Sequence, residues 1–341
     1  MKKIIITGGY GFIGSNLVKY FLKKNYFVIN IDKLSYSSNR YNLIDVSKKK
    51  NYIFIKSDIG NKKKILGALK KYKPSIIFNL AAETHVDRSI DGPKAFIDNN
   101  INSTFNLLEA LRFYNKFSHK KIKLIHVSTD EVYGDIFNKK LRANEKFQYH
   151  PSSPYSASKA SSDHLVKAYN RTYNLPAIIS NCSNNYGPNQ NPEKLIPKII
   201  FNILNNLPIP IYGKGINSRE WLHVEDHCRA LEILSIKGRI GENYNIGSGF
   251  NLTNINLIKI IIKMMKKKCK NKAITHFVKD RPGHDLRYAI NSTKIRNTLN
   301  WKPKINLTNG LLKTIDWYLQ NKDYFKNLKG NKHKLRLGLN T

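Results

Sequence analysis

The sequence is short of cysteine, of acidic residues and of long apolar runs, and each shortage closes off a class of protein. Its three cysteines, Cys182, Cys228 and Cys269, stand far apart in 341 residues. They form neither a disulfide framework nor a paired-ligand spacing for zinc, so no metal site is expected. No apolar stretch approaches the roughly 18 to 20 residues of a membrane span. The first residues also lack the long apolar region and cleavage site of a secretory signal. A soluble, cytoplasmic protein without a membrane partner is expected.

Asp and Glu number 23 against 59 Lys and Arg, a formal charge of +36. So basic a chain can bind nucleic acid through its phosphates. The lysines, however, are scattered through nearly every segment, in short runs such as Lys48-Lys49-Lys50, Lys62-Lys63-Lys64 and Lys266-Lys267-Lys268. No zinc finger, RNA-recognition motif or sustained basic arm accompanies them. The pattern is that of a Lys- and Asn-rich solvated surface, and no nucleic-acid partner is expected. A second role in RNA binding is the alternative, which salt-dependent retention on bulk nucleic acid would reveal.

What is present starts at the first residues. The apolar run Ile4-Ile5-Ile6-Thr7 is a short buried strand, and Gly8-Gly9-Tyr10-Gly11-Phe12-Ile13-Gly14 then opens a helix through Ser15, Leu17, Val18, Phe21 and Leu22. Glycines at 8, 11 and 14 let backbone amides and the helix N-terminus approach a pyrophosphate. A second strand, Phe27 to Ile31, ends at Asp32, close to the spacing of about 20 residues expected for the acid that binds a ribose 2′-hydroxyl. An acid there repels a 2′-phosphate, which favours NAD over NADP.

Further strand-like runs, Ile53–Ile55, Ser75–Leu80, Lys123–Ser128 and Ala177–Ser180, alternate with helical segments. The fold class expected is α/β, a Rossmann-type doubly wound parallel sheet. Chemical residues cluster just after the strands, where ligands of such sheets bind. After Asn181, prolines at 188, 192, 197, 208 and 210 break the chain into short elements. Residues 1–180 are therefore expected to form the dinucleotide-binding domain and 181–341 a smaller, interleaved C-terminal substrate domain. Residues 221–247 are expected to return to the first domain, and the end beyond Tyr324 to fray.

The chemistry concentrates in Ser128-Thr129-Asp130-Glu131-Val132-Tyr133-Gly134 and Tyr155-Ser156-Ala157-Ser158-Lys159. Tyr-x-x-x-Lys puts phenol and ammonium on one helix face, a turn apart, where the lysine charge would lower the phenol's pKa from about 10. Alone, that spacing is an ordinary amphipathic helix fragment, and Asp130-Glu131 alone is an ordinary helix start. Together they can move a hydride and expel water.

These motifs resemble the extended short-chain dehydrogenase/reductases, and within them the dTDP-glucose 4,6-dehydratases. The resemblance runs from Ile4 to about Trp317 and also rests on residues 81–89 (Ala-Ala-Glu-Thr-His-Val-Asp-Arg-Ser), 182–188 (Cys-Ser-Asn-Asn-Tyr-Gly-Pro), 192–197 (Pro-Glu-Lys-Leu-Ile-Pro) and 280–285 (Asp-Arg-Pro-Gly-His-Asp). It implies conversion of dTDP-glucose to its 4-keto-6-deoxy sugar and water, with NAD as recycled cofactor, by a homodimer built on helices of the first domain. The excess positive charge would help steer a doubly negative nucleotide sugar.

By the same resemblance NAD would meet Gly8, Gly11, Phe12, Ile13, Gly14, Asp32, Lys33, Leu34, Ser35, Asp58, Ile59, Leu80, Ala81, Ala82, Asn99, Tyr155, Lys159 and Asn185. The nucleotide sugar would meet Thr84, Thr129, Asn184, Glu193, Lys194, Leu195, Pro210, Ile211, Tyr212, Arg219, Asn254, Asp280, Arg281, Pro282, Gly283, His284 and Arg287. Arg219 and Arg287 are diphosphate candidates because guanidinium offers bidentate donors, with a surface ion pair as the plain alternative. Tyr155, aided by Lys159 and Thr129, would deprotonate the 4-hydroxyl; Glu131 would act as base at carbon 5 and Asp130 as acid toward the 6-hydroxyl. His85, His223 and His284 are expected to be hydrogen-bonded scaffold or substrate-loop residues rather than catalysts, and Cys182 a packed thiol.

The sequence departs from the family pattern at Asn99, Thr84, Asn181 and Asn189. The first two keep hydrogen-bonding ability, whereas Asn181 loses a charge and bears on packing or affinity. The rival readings are a nucleotide-sugar 4-epimerase, which needs no carboxylate pair, a decarboxylase of the same superfamily, and a silent NAD-binding scaffold.

Overall fold

In the computed structural model, which describes residues 1–328, twelve strands fall into three sheets. They are β1 (Lys3–Thr7), β2 (Phe27–Asp32), β3 (Tyr52–Lys56), β4 (Ile76–Asn79), β5 (Lys123–Thr129), β6 (Ala177–Cys182), β7 (Asn184–Tyr186), β8 (Ile209–Tyr212), β9 (Ser218–His223), β10 (Asn243–Ile246), β11 (Asn251–Thr253) and β12 (Thr275–Val278). The main sheet has the order β10-β6-β5-β4-β1-β2-β3, and every pair in it is parallel. The doubly wound sheet expected from the sequence is present.

Parallel strands covered by helices on both faces must be apolar on both sides, and that is why these strands read as continuous Ile/Val runs. Ile4 and Ile6 pack on one face with Leu17, Val18 and Phe21 of helix Phe12–Lys23 and Leu231 and Leu234 of helix Val224–Lys237. Ile5, between them, packs on the other face with Leu69 of helix Lys62–Tyr72, Leu107 and Leu111 of helix Ser103–Lys116, and Val166 of helix Pro154–Tyr173. Sheet order reverses between β1 and β4, so a crevice opens beyond their carboxyl ends.

The second lobe has its own core: Ile196, Ile199 and Ile200 of helix Leu195–Leu204, Leu257 and Ile261 of helix Asn254–Lys266, and Leu311 and Ile315 of helix Leu307–Gln320. Two small sheets, β11-β9-β7 and β12-β8, accompany it. Trp221 to His223 belong to β9, and Trp221 lies in this second core. Leu222 of the same strand already packs in the main sheet's core, and the chain continues into helix Val224–Lys237 and β10, which pairs with β6. It returns again later, since Ile295, Leu299 and Trp301 pack into the main sheet's core. Asp323–Lys326 form a short helix, with Tyr324 buried. The expected fraying beyond residue 328 lies outside the described residues. Among the described residues no helix is long and apolar enough to cross a membrane.

Candidate active site

A deep cleft lies at the carboxyl ends of β1, β4 and β5, and the glycine loop forms its floor. Gly8 has φ +68, and a Cβ there would sit 2.9 Å from Ala81 Cα; one on Gly14 would sit 2.1 Å from the Gly8 carbonyl oxygen. Helix Phe12–Lys23 starts at Gly11 with no side-chain cap, which leaves first-turn amides available to an anion. Asp32 accepts hydrogen bonds from the Tyr10 amide (2.9 Å), the Leu34 amide (2.7 Å) and the Ser38 hydroxyl (2.8 Å). A carboxylate offers about four acceptor positions. The side chain therefore fixes the loop and keeps room for a ribose hydroxyl. At the far end Lys33 pairs with Asp58 at 3.2 Å and donates to Asn99. These features fit a dinucleotide.

At the other end of the cleft stand Thr129, Asp130, Glu131, Tyr155 and Lys159. Thr129 ends β5, and its hydroxyl accepts the Glu131 amide at 3.2 Å, starting a single 3-10 turn. The plain alternative for the acid pair is thus half present: a helix start exists, but Thr129 caps it. Asp130 Oδ2 and Glu131 Oε2 are buried without a partner among the described residues. Burial, reinforced by the charges of Glu131 and Glu220, raises the Asp130 carboxyl well above the usual range. Burial also raises Glu131, but Arg281, Arg219 and Lys194 oppose the rise. The environment thus favours a protonated Asp130 beside a Glu131 better able to ionise.

Tyr155 and Lys159 lie on helix Pro154–Tyr173, whose entry is fixed by a capping box in which Ser153 and Ser156 exchange side-chain to backbone hydrogen bonds at 3.1 and 3.0 Å. The expected lowering of the Tyr155 pKa by Lys159 is not found. Burial first, then Glu131, Cys182 and Asp130, push the phenol well above its ordinary value, against a lowering contribution from Thr129. The Lys159 amine instead donates to the Val127 carbonyl at 2.9 Å. Burial by several neighbours outweighs one spacing rule.

Most of the expected cofactor residues line the cleft: Gly8, Gly11, Phe12, Ile13, Gly14, Asp32, Lys33, Ser35, Asp58, Ile59, Leu80, Ala81, Ala82, Asn99, Tyr155, Lys159 and Asn185. Leu34 is set apart, in a left-handed conformation (φ 63) that directs its amide to Asp32. On the substrate side Thr84, Thr129, Asn184, Glu193 and Lys194 line the cleft. The remaining candidates belong to the second lobe. Leu195 and Ile211 pack in its core, and Pro210 lies beside Ile211 in β8. Asn254 starts a helix with its Oδ1 buried and without a partner among the described residues. The Arg219 guanidinium lies 4.2 Å from the Tyr288 ring centroid and donates to the Ser218 and Asp285 carbonyls, both at 2.9 Å.

The loop Asp280–His284 turns at Gly283 (φ +60) after the exposed Pro282. His284 Nδ1 lies 2.6 Å from Asp280 Oδ1. The Arg287 guanidinium donates to the carbonyls of Ile136, Asn138, Lys139 and Leu141 and so staples that loop.

Asp87 and Arg88 were missed as site residues, although they lie inside the quoted 81–89 motif. Asp87 accepts from Tyr212 Oη (3.2 Å) and Arg281 (2.9 Å), while Arg88 reaches Glu193 at 3.4 Å, so this short helix joins both arms of the second lobe to the cleft rim. His85 and His223 accept amide hydrogen bonds at helix starts, and Cys182 is a buried thiol pushed up to about 12. The Asn181 amide nitrogen lies 3.3 Å from each of Thr129 O, Tyr149 Oη and Asp163 Oδ2 and donates toward them, while its Oδ1 is buried without a partner among the described residues. Asn189 takes a left-handed φ of 70, a conformation asparagine tolerates.

A doubly wound sheet, a glycine loop on its first turn and a buried Tyr-Lys pair beside an acid pair define an extended short-chain dehydrogenase/reductase. Within that class the chain belongs to the GDP-mannose 4,6 dehydratase family, which matches residues 5–314. It is 46% identical to a dTDP-glucose 4,6-dehydratase of Neisseria meningitidis serogroup B, over 99% of each chain. The crystal structure of dTDP-glucose 4,6-dehydratase from Bacillus anthracis in complex with NAD superposes with a TM-score of 0.87 at 44% identity, covering 96% of this chain and 100% of that one. UDP-glucose 4-epimerase of Thermotoga maritima, solved with UDP-glucose, superposes at 0.84 with 28% identity, covering 94% and 99%.

Proposed function

We propose that the protein is a dTDP-glucose 4,6-dehydratase that uses NAD as a recycled cofactor. The observation that supports this reading above an epimerase is the carboxylate pair Asp130 and Glu131 beside Tyr155 and Lys159, each acid with one buried oxygen, Oδ2 and Oε2, that has no partner among the described residues. An epimerase moves hydride with the phenol and ammonium alone; expelling water needs an acid and a base as well.

Bound NAD would supply the acceptor for the hydride of sugar carbon 4 and the donor that returns it at carbon 6. The chain's own residues handle the protons. Tyr155 in its phenolate form, which the Thr129 hydroxyl favours against the burial that opposes it, would take the proton of the 4-hydroxyl, with Lys159 one helical turn away. The resulting ketone acidifies carbon 5, where Glu131 would act as base. Asp130, held protonated by its burial, would give its proton to the departing 6-hydroxyl. The glycine loop, Asp32, Lys33 and Asp58 would bind the dinucleotide, and Thr84, Asn184, Glu193, Lys194, Arg219 and the loop Asp280–His284 the nucleotide sugar. On this reading residues 1–180, with the returning 221–247 segment, are the NAD domain, and the second lobe covers the sugar.

Homodimer formation belongs to the same reading. Helix Ser103–Lys116 packs beside helix Pro154–Tyr173 and exposes Phe105 (43%) and Phe113 (46%), an unusual load of aromatic surface for a helix facing water. The reading also puts the enzyme in the cytoplasm. Its decisive test follows hydrogen. dTDP-glucose deuterated at carbon 4 should give a 4-keto-6-deoxy product with deuterium at carbon 6, and turnover in deuterated water should label carbon 5. Product that keeps its 6-hydroxyl and inverts carbon 4 would replace this reading with the epimerase one.

A further inference from the structure

Behind the redox pair runs a buried polar chain with no assigned part in the reaction. Tyr155, Lys159 and Asp163 recur at four-residue spacing along helix Pro154–Tyr173, which places them on one face. The Lys159 amine stands 3.5 Å from His126 Nε2 in β5, and the same nitrogen lies 3.4 Å from Asp163 Oδ1. His126 Nδ1 is 3.1 Å from the Asn79 amide nitrogen, and Asn79 Oδ1 accepts the Thr7 hydroxyl at 2.7 Å. Asn79 therefore presents its NH₂ to Nδ1, which must accept. The imidazole proton then sits on Nε2, the nitrogen that lies 3.4 Å from Asp163 Oδ1. This fixes His126 as neutral, in keeping with burial and the Lys159 charge, which both lower its pKa.

Asp163 Oδ2 accepts from Ser128 at 2.7 Å, Tyr149 at 3.0 Å and Asn181 at 3.3 Å. Such donors favour the ionised form. His126 and Asp163 have no exposed surface, and Lys159 has 4%. A lone ammonium so deep would give up its proton. Other titratable groups face this cluster: Tyr155 from the same helix, with Glu131 and Asp130 around it; Cys182 from β6; and Tyr133, Tyr149 and Lys167 around Asp163. Cys182 stays a thiol, pushed up to about 12. Asp163 is the carboxylate whose charge acts most strongly in favour of the Lys159 ammonium. The chain also reaches the cofactor floor, because Thr7 Oγ1 accepts the Leu80 and Ala81 amides at 3.1 Å.

We propose that Asp163 is the buried counter-ion that keeps Lys159 charged, and that His126 is the neutral strut between them, so that both are positioning residues for proton transfer at Tyr155. The proposal rests on Tyr155 and Lys159 being the redox pair. Without the counter-charge Lys159 would deprotonate at lower pH, and the site would lose the buried cation that stands one helical turn from Tyr155.

The test is the pH profile of turnover with dTDP-glucose for the NAD-loaded wild type, Asp163→Asn, His126→Phe and Lys159→Met. In Asp163→Asn the alkaline limb of kcat should move down by roughly 1 to 3 pH units, with KM little changed. His126→Phe should move it the same way by less. A limb coinciding with the wild type in Asp163→Asn overturns the proposal, and an unmoved limb in His126→Phe alone removes His126 from it. Wild-type turnover in Lys159→Met would instead overturn the redox-pair reading itself, a separate outcome. Stability gives an independent check should Asp163→Asn fold poorly. The double variant Asp163→Asn/Lys159→Met removes both charges and should unfold at a higher temperature than Asp163→Asn alone, because a lone buried charge costs more than none. A double variant no more stable than Asp163→Asn overturns the counter-ion role.

Discussion

The amide of Glu131 donates to the hydroxyl of Thr129 at 3.2 Å, while Oε2 of the same glutamate is buried with no partner among the described residues. Backbone and side chain of one residue thus have opposite standing, the first anchored and the second left for a ligand. A side chain kept this way contributes little to stability. Glu131→Gln should therefore unfold near the wild-type temperature and bind NAD normally, while turnover falls by about 10² to 10⁴. Turnover close to wild type would return the acid pair to the role of an ordinary helix start.

Tyr155→Phe removes the phenol oxygen and leaves the ring that contacts Phe96 at 6.3 Å between centroids. Oxidation at carbon 4 should stop, so a single turnover followed at 340 nm, where NADH absorbs, should show no transient. Glu131→Gln should still show one, because its block comes after the hydride has moved. A transient of equal size in both variants would reject this order of events.

Two glycines should respond to the same substitution with opposite sign. Gly14→Ala drives a Cβ to 2.1 Å from the Gly8 carbonyl oxygen and 2.9 Å from Gly9 Cα, both backbone atoms that cannot swing away. A loss of about 1 to 3 kcal/mol and of NAD affinity is expected. Gly67, exposed within helix Lys62–Tyr72, has nothing within 4 Å of such a Cβ, so Gly67→Ala should stabilise by about 0.5 to 1 kcal/mol. Thermal unfolding of both variants checks the pair.

Acid should destabilise the fold through its buried histidines. Burial depresses His227 to about 3, while burial with Arg281 and Arg219 depresses His284 to about 4, so both are neutral in the native state. In the unfolded chain they titrate near 6.5, and there the unfolded state binds more protons. Their stabilisation is complete above about pH 6.5 and is lost as pH falls toward 4 and then 3, by about 1.4 kcal/mol per unit for each group. Asp130 and Glu131, raised in the native state, act in the opposite sense and soften the slope. Urea unfolding between pH 7.5 and 4 should show a falling midpoint. His227→Asn, which keeps a donor toward Asn185, should flatten part of it.

Phe105→Glu with Phe113→Glu, on the exposed face of helix Ser103–Lys116, should halve the mass found by sedimentation without unfolding the protein. A wild type that sediments as a monomer would remove the dimer from the proposed function.

The parts legible in the sequence are those whose physics is local. Ile4 to Thr7 must be a buried strand because its residues are apolar on both faces, Gly8, Gly11 and Gly14 lie within one turn of a helix start, and Tyr155 and Lys159 share a face by helical spacing alone. Asp163, one further turn along that face, was open to the same argument. The tertiary structure decided what depends on groups far apart in the chain. It set Tyr155 above rather than below its ordinary pKa, because Glu131, Cys182 and the surrounding burial meet there only after folding. It gave Arg287 to four carbonyls of residues 136–141, and it joined Asp87 to Tyr212 and Arg281 across more than a hundred residues. Spacing rules order neighbours along one element, whereas desolvation and charge sum over every element packed around a group, and that sum exists only in the folded chain.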